Sequence, residues 1–407
     1  MSHNILITGG SGYLGGSLLA RWNEAKLPAY NKLFALVRTP KQAEAVKQYG
    51  AEPLAFNAFD EAEVRTAVID NNITVVYHLI APRSHESQSY FIKAMAEVKK
   101  QTGRDVYFLH TTGAKIFSSH AGAPTDKPLL DNDPKLYEIQ KAQQAPLQPM
   151  QEAVDTNNFV IDEAEKYGVR SYVFAPCIVY GEGEGFSNRI SIQTVAIVRA
   201  AEAVKRMYRV DTGRPTWPVC HVRDNTNMYL ELMRKILAGE NPSYGQNGYY
   251  LAASGSVAWD DLYAAMGAAL AKRDVVADSA ITTANEQDLE AMAKGLGCPA
   301  GLVPLMMGGT CTFTADRGSK ELGWKPLYKP EHILEYADAE VDFILRNKNW
   351  QIGLLALTTY PAPTLHTFTP QLAWYFQAEA GAPPPSPPPP RGLSLGKRDS
   401  ETTALVA

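Results

Sequence analysis

Glycines 9, 12 and 15, set in Thr8-Gly9-Gly10-Ser11-Gly12-Tyr13-Leu14-Gly15 directly after the apolar run Ile5-Leu6-Ile7, have the spacing of a strand, a tight turn and a helix start. Glycine lets the backbone approach a pyrophosphate with no Cβ in the way, and the helix that follows presents unpaired N–H groups at the positive end of its dipole. Ser11, Tyr13 and Leu14 fall within the same cradle. At the end of the second apolar run stands Leu36-Val37-Arg38-Thr39. An acid there would accept hydrogen bonds from a ribose 2′-hydroxyl; a guanidinium beside a hydroxyl suits a 2′-phosphate instead, so Arg38 and Thr39 favour NADP(H) over NAD(H). Further along, Tyr137 and Lys141 are one helical turn apart and share a face. Thr112 and Lys115 place a hydroxyl and a cation just after another apolar run.

The TGxxGxxG spacing resembles the short-chain dehydrogenase/reductase superfamily in its extended or atypical branch, that of the NAD-dependent epimerase/dehydratase proteins. Three later segments are similar too: His78-Leu79-Ile80-Ala81, Pro176-Cys177-Ile178-Val179-Tyr180-Gly181, and His221-Val222-Arg223-Asp224. The resemblance implies that Asn57, which replaces the family's acid, and Ala58 meet the adenine, that Leu79, Ile80 and Ala81 line the cofactor, and that Pro176 and Ile178 lie at its nicotinamide end. It also implies a tyrosine general acid or base whose pKa a lysine four residues on lowers, the roles of Tyr137 and Lys141, with Thr112 orienting the substrate oxygen. Tyr137 lies 39 residues before Pro176, farther than the family spacing, and 149–153 offers neither Tyr nor Lys. Thr112-Gly113-Ala114-Lys115 is similar to the progesterone 5β-reductase and iridoid synthase-like enzymes, which implies conjugate reduction of enones and carries Lys115 over as a catalytic residue. Hydride transfer to a small carbonyl or enone metabolite is therefore expected. Two alternatives stay open: an NAD-using sugar-nucleotide epimerase or dehydratase, and an NADP(H)-binding redox sensor of the NmrA-like kind.

Elements must position these groups. Apolar strands at 4–8, 32–37, 52–56, 74–80, 105–110 and 171–176, alternating with amphipathic helices such as 15–25 and 154–167, predict an α/β fold: a Rossmann-type doubly wound parallel sheet of six strands. Helices at 185–207, 225–237, 259–272 and 333–346 predict a smaller mixed α/β lobe over the substrate. The expected boundaries are a dinucleotide-binding core over 1–180 to which parts of the later chain return, a substrate lobe with C-terminal helices over 181–350, and a tail over 351–407. Its polyproline run, 383–390 interrupted only by Ser386, cannot pack as helix or sheet, so the tail is read as disordered.

Composition narrows the classes. The 407-residue chain is 45% hydrophobic and 20% charged with a formal net charge of -4, which gives no electrostatic case for nucleic acid or an acidic membrane surface. The four cysteines form no CxxC pair and have no histidines at zinc spacing, so reduced thiols and no metal are expected. The sequence reads into its first apolar strand without a basic-then-apolar stretch before it, and no apolar run approaches the roughly 20 residues needed to span a bilayer, so neither a leader nor a membrane span is expected. A cytoplasmic enzyme with a small-molecule substrate, possible as a homodimer, is the expectation.

Overall fold

The computed structural model describes residues 2–347; the proline-rich tail lies outside the described residues. Seven parallel strands form the central sheet: β1 (Asn4–Ile7), β2 (Lys32–Val37), β3 (Glu52–Ala55), β4 (Val75–His78) and β5 (Tyr107–Thr111) are followed, after a two-residue strand β6 (Leu129–Leu130), by β7 (Arg170–Pro176). Three strands further on, after β8 (Ile178–Tyr180), β9 (Met207–Arg209) and β10 (Thr216–His221), comes the seventh member, β11 (Tyr249–Ala252). The sheet order is β11-β7-β5-β4-β1-β2-β3. The chain winds outward from β1 to β3, then crosses back to β4 and winds the other way. The order therefore reverses between β1 and β4, and crevices open at such points beyond the carboxyl ends of the strands.

Alternation along the strands builds two apolar layers. Ile5, Ile7, Tyr77 and Leu109 face one way with Leu18 and Leu19 of helix α1 (Tyr13–Arg21) and Trp22, which caps its end. Leu6, Val76 and Phe108 face the other way with Phe91 and Met95 of a helix at Glu86–Thr102 and Val160 of a helix at Gln148–Tyr167. Helix boundaries follow local chemistry. The helix α2 (Pro40–Lys47) starts at Thr39, whose hydroxyl accepts from the Gln42 N–H, with proline at the first turn where no N–H is needed. The helices Glu86–Thr102 and Gln148–Tyr167 both stop at a glycine in the left-handed region, Gly103 and Gly168.

Three expectations are corrected. The sheet has a seventh strand, because Tyr249, Tyr250, Leu251 and Ala252 pair in parallel with β7; their side chains are fully buried in the core. The expected helix at 185–207 begins only at Gln193, since the residues before it dock on α1 as an irregular loop. The 333–346 helix is two pieces, His332–Glu335 and Ala337–Arg346. At Pro176 the chain leaves the main sheet, and β8 joins β10 and β12 (Gly255–Ala258) in a three-stranded sheet. Among the described residues no helix is long and apolar enough to cross a membrane.

Candidate functional site

The glycine turn sits at the reversal point. Gly9 has φ +69°, and a Cβ there would come within 2.9 Å of the Leu79 carbonyl oxygen; a Cβ on Gly15 would overlap the Gly9 carbonyl. Helix α1 opens at Gly12 with no side-chain cap and no acid in its first turn. Its leading N–H groups therefore remain for an anion. Thr8 ties the two sides together, its N–H donating to the Tyr77 carbonyl at 3.0 Å and its hydroxyl accepting from the Leu79 N–H at 2.9 Å. Opposite the turn, Ala81 takes φ +48°, a conformation that costs a non-glycine residue free energy. Its carbonyl is held by the Gln88 side chain at 2.7 Å. A glycine turn packed against the Leu79 and Ile80 segment and headed by an uncapped helix N-terminus is an arrangement that suits a dinucleotide pyrophosphate.

The remaining cofactor candidates divide. Arg38 is exposed, spends only its backbone N–H on Gln42 at 2.8 Å, and pairs with no carboxylate among the described residues. Thr39 is engaged as the α2 cap. Asn57 is exposed and folds back on itself, its side-chain oxygen accepting from the Phe59 N–H at 3.0 Å beside the buried Ala58. The Tyr13 phenol donates to the Gly181 carbonyl at 2.6 Å. Ser11 offers its carbonyl to the Asn188 N–H at 3.0 Å, so the glycine-acid loop after β8 is fastened onto the turn. Ile178 is fully buried in the second sheet. Pro176 is the last residue of β7, and neighbouring Cys177 donates to the Ala252 carbonyl at 3.0 Å.

Sequence reasoning missed the anchor of that loop. Glu340, on the helix Ala337–Arg346, accepts from the Gly181 N–H at 2.9 Å, the Thr194 hydroxyl at 2.7 Å and the Ser191 hydroxyl at 3.2 Å, so it clamps both ends. Nothing local in the sequence pairs residues so far apart.

Tyr137 and Lys141 are brought together as their spacing predicts, but with Asp162 as a third partner. The Tyr137 phenol hydrogen-bonds the Asp162 carboxylate, and Lys141 bonds both the phenol oxygen and Asp162 at 2.7 Å. Asp162 lies fourteen residues into the helix Gln148–Tyr167, about 21 Å along its axis from the start. The helix runs down from the crevice end, so the trio sits well below it. Its electrostatics are also opposed to the proposed role: burial first, then the hydrogen bond to Asp162, raise the phenol pKa. Where a catalytic pair would begin this helix, Gln151 and Asp155 hydrogen-bond each other at 2.8 Å.

Thr112 and Lys115 do lie beyond the carboxyl end of β5, beside the reversal point. Thr111 turns inward to the Tyr229 phenol at 2.9 Å, whereas Thr112 anchors only its N–H, to the Phe174 carbonyl at 2.9 Å, and is half-exposed. Lys115 sits in the 3-10 turn Ala114–Phe117 with only part of its side chain reaching solvent. Burial, reinforced by the nearby Arg83 charge, lowers its pKa to about 8. Its ammonium has no carboxylate partner among the described residues. His120, also depressed by burial, flanks it and bonds the Gly308 carbonyl at 2.9 Å. Among the described residues no group of His, Cys, Asp or Glu is arranged to hold a metal.

A parallel sheet that reverses order beside a glycine cradle defines a Rossmann-type dinucleotide-binding protein. The sequence signature described as NAD dependent epimerase/dehydratase family matches residues 5–244. The chain belongs to that family, and with it to the NAD(P)-dependent enzymes of the extended short-chain dehydrogenase/reductase type. It is 23% identical over 374 residues to the oxidase ucsJ of an Acremonium species, covering 87% of this chain and 100% of that one. Among solved structures it resembles the dTDP-glucose 4,6-dehydratase of Bacillus anthracis (TM-score 0.57, 12% identity, 87% of this chain and 100% of that one). It also resembles the UDP-glucose 4-epimerase of Thermotoga maritima (TM-score 0.55, 14% identity, 85% and 99%). At these identities the structures share a fold; the particular resemblance to progesterone 5β-reductase rests on the TGAK segment alone.

Proposed function

We propose that the protein is an NADP(H)-dependent reductase of a small carbonyl or enone metabolite, with Lys115 as its proton donor. The observation that carries this reading is a partly exposed lysine just beyond the carboxyl end of β5, with no carboxylate partner among the described residues and a pKa lowered to about 8. Gly9, Gly12, Gly15, Ser11 and Leu14 would hold the pyrophosphate, Arg38 the 2′-phosphate, Asn57 and Ala58 the adenine, and Leu79, Ile80, Ala81 and Pro176 the inner half. A nicotinamide bound there supplies or accepts hydride.

The chain's own residues do the rest. Thr112 presents its hydroxyl to the substrate oxygen and fixes its direction. The Lys115 ammonium donates a second hydrogen bond to that oxygen, stabilises negative charge as it develops, and gives up its proton. A pKa near 8 suits a group that must hold a proton at neutral pH yet release it. Partial exposure lets water restore it. The oxidase name of the Acremonium relative is consistent with redox chemistry at this site.

A second reading, a sugar-nucleotide epimerase or dehydratase, is favoured by the family description and by the names of the structural neighbours. One experiment separates them. Purified protein is assayed for NADPH consumption against aldehydes, ketones and enones, and for conversion of UDP- and dTDP-sugars with NAD. Net oxidation of NADPH that is lost in Lys115→Met supports the reductase; sugar-nucleotide turnover without net cofactor change rejects it.

A further inference from the structure

Helix α1 is poorly equipped to stand on its own. It is nine residues long, Gly15 and Gly16 lie in its first turn, and no side chain caps its start at Gly12. Glycine weakens a helix relative to alanine, and an isolated helix of this length is marginal in water. Yet its leading N–H groups must hold still to meet a pyrophosphate. The support comes from the 181–189 loop, which runs along one face of the helix. Tyr13, Ser17 and Arg21 stand four residues apart on that face, and each takes hold of the loop. The Tyr13 phenol donates to the Gly181 carbonyl at 2.6 Å, the Ser17 hydroxyl accepts from the Glu184 N–H at 3.2 Å, and Arg21 meets the Glu184 carboxylate at 3.2 Å. The two backbones pack closely, for a Cβ on Gly185 would come within 2.6 Å of the Gly16 Cα. The loop is in turn pinned by one side chain. Glu340 is buried and spends both carboxylate oxygens on it, accepting from the Gly181 N–H with one and from the Ser191 and Thr194 hydroxyls with the other. Gly181 is thus gripped through both its backbone groups, by Glu340 at the N–H and by Tyr13 at the C=O.

We propose that Glu340 is a positioning residue of the dinucleotide site: through Gly181 and Tyr13 it holds the start of α1 where its N–H groups meet the pyrophosphate. This rests on the dinucleotide site alone and is indifferent to the substrate. NADPH and NADH share the pyrophosphate, so losing the support weakens both by the same factor, whereas a residue acting at the adenosine end separates them. The route is specific as well. Glu340 and Tyr13 act in series, so once either bond to Gly181 is gone the other has little left to transmit, and their effects do not multiply.

The test is a titration of the full chain with NADPH and with NADH, read by the fluorescence of the reduced nicotinamide. Glu340→Leu leaves the Gly181 N–H unpaired and should weaken both dinucleotides about tenfold, as loss of one buried hydrogen bond does. Glu340→Gln keeps an oxygen for that N–H and turns its amide to the two hydroxyls, so it should bind both within about threefold of the parent. Tyr13→Phe removes the other bond and should match Glu340→Leu. The double variant should lose no more than about thirtyfold, where independent effects would reach about a hundredfold. Thermal melts of the cofactor-free proteins show whether each variant folds; if Glu340→Leu does not, Tyr13→Phe decides alone, since it leaves the buried carboxylate and its three partners in place. An affinity unchanged in the folded variants overturns the proposal, as does a loss for NADPH that NADH does not share. Full multiplication in the double variant, or Glu340→Gln as weak as Glu340→Leu, overturns it equally. A parent that binds neither dinucleotide removes the site itself, and the proposal with it.

Discussion

Lys141 and Lys115 are the same residue in opposite surroundings. Lys141 is half-exposed, bonded to Asp162 and Tyr137, and these partners push its pKa up. Lys115 is only partly exposed and has no carboxylate partner among the described residues, and burial together with the Arg83 charge lowers its pKa to about 8. An ammonium tied to a carboxylate near solvent holds its proton and does little else. One held in a crevice beside another cation is costly to fold and ready to react. On the function proposed above, the motif that looks catalytic by spacing is held in a structural ion pair, and a lone lysine after β5 carries the chemistry.

The largest effect expected is on turnover. Lys115→Met should lower kcat for NADPH-dependent reduction by about 10²–10⁴-fold, the usual contribution of a positioned general acid, while Tyr137→Phe stays within about threefold. Steady-state NADPH consumption checks both. The same Lys115→Met variant should melt higher than the parent. Its folded-state pKa lies near 8 against 10.5 for a free lysine, so between those values the unfolded chain binds a proton that the folded chain has released. Stability from this group therefore rises with pH across about 8 to 10.5, and below about 8 the buried charge is a constant penalty. Thermal melts from pH 7 to 10.5 should show that rise in the parent and a flatter curve in the variant.

The glycine cradle comes next. Gly15→Ala forces a methyl group into the Gly9 carbonyl and should abolish measurable dinucleotide binding, read by titrating NADPH fluorescence. Arg38→Ala should weaken NADPH about tenfold and leave NADH within about twofold, in line with loss of one charge-assisted contact to a 2′-phosphate. Smallest of all is the decoy region. Lys141→Ala should cost about 0–1 kcal/mol of stability, as an exposed ion pair does, with no change in turnover.

The glycine turn was legible because its parts are contiguous: strand, turn and helix start follow one another within a dozen residues, and each has its own residue preferences. The six strands expected were readable for the same reason. β11 was not, since Tyr249 and Tyr250 become a strand only by pairing with β7, and aromatic residues serve equally in a strand or a pocket wall. Tyr137 misled because helical spacing fixes which face two side chains share but not what that face meets; Asp162, which claims the phenol, is on another helix. Thr112 and Lys115 were found by a local resemblance, yet the burial that gives Lys115 its character comes from segments remote in sequence. Glu340 had no local signal either, since only the return of the C-terminal helix brings it to Gly181, Ser191 and Thr194.

The central claim, that Lys115 and not Tyr137 supplies the proton, is tested most directly by the pH dependence of kcat/KM for NADPH-driven reduction in the parent, Tyr137→Phe and Lys115→Met proteins. The account predicts a rate that falls as pH rises through about 8 in the parent and identically in Tyr137→Phe, and a residual, pH-flat rate in Lys115→Met. A profile that vanishes in Tyr137→Phe and persists in Lys115→Met would contradict it.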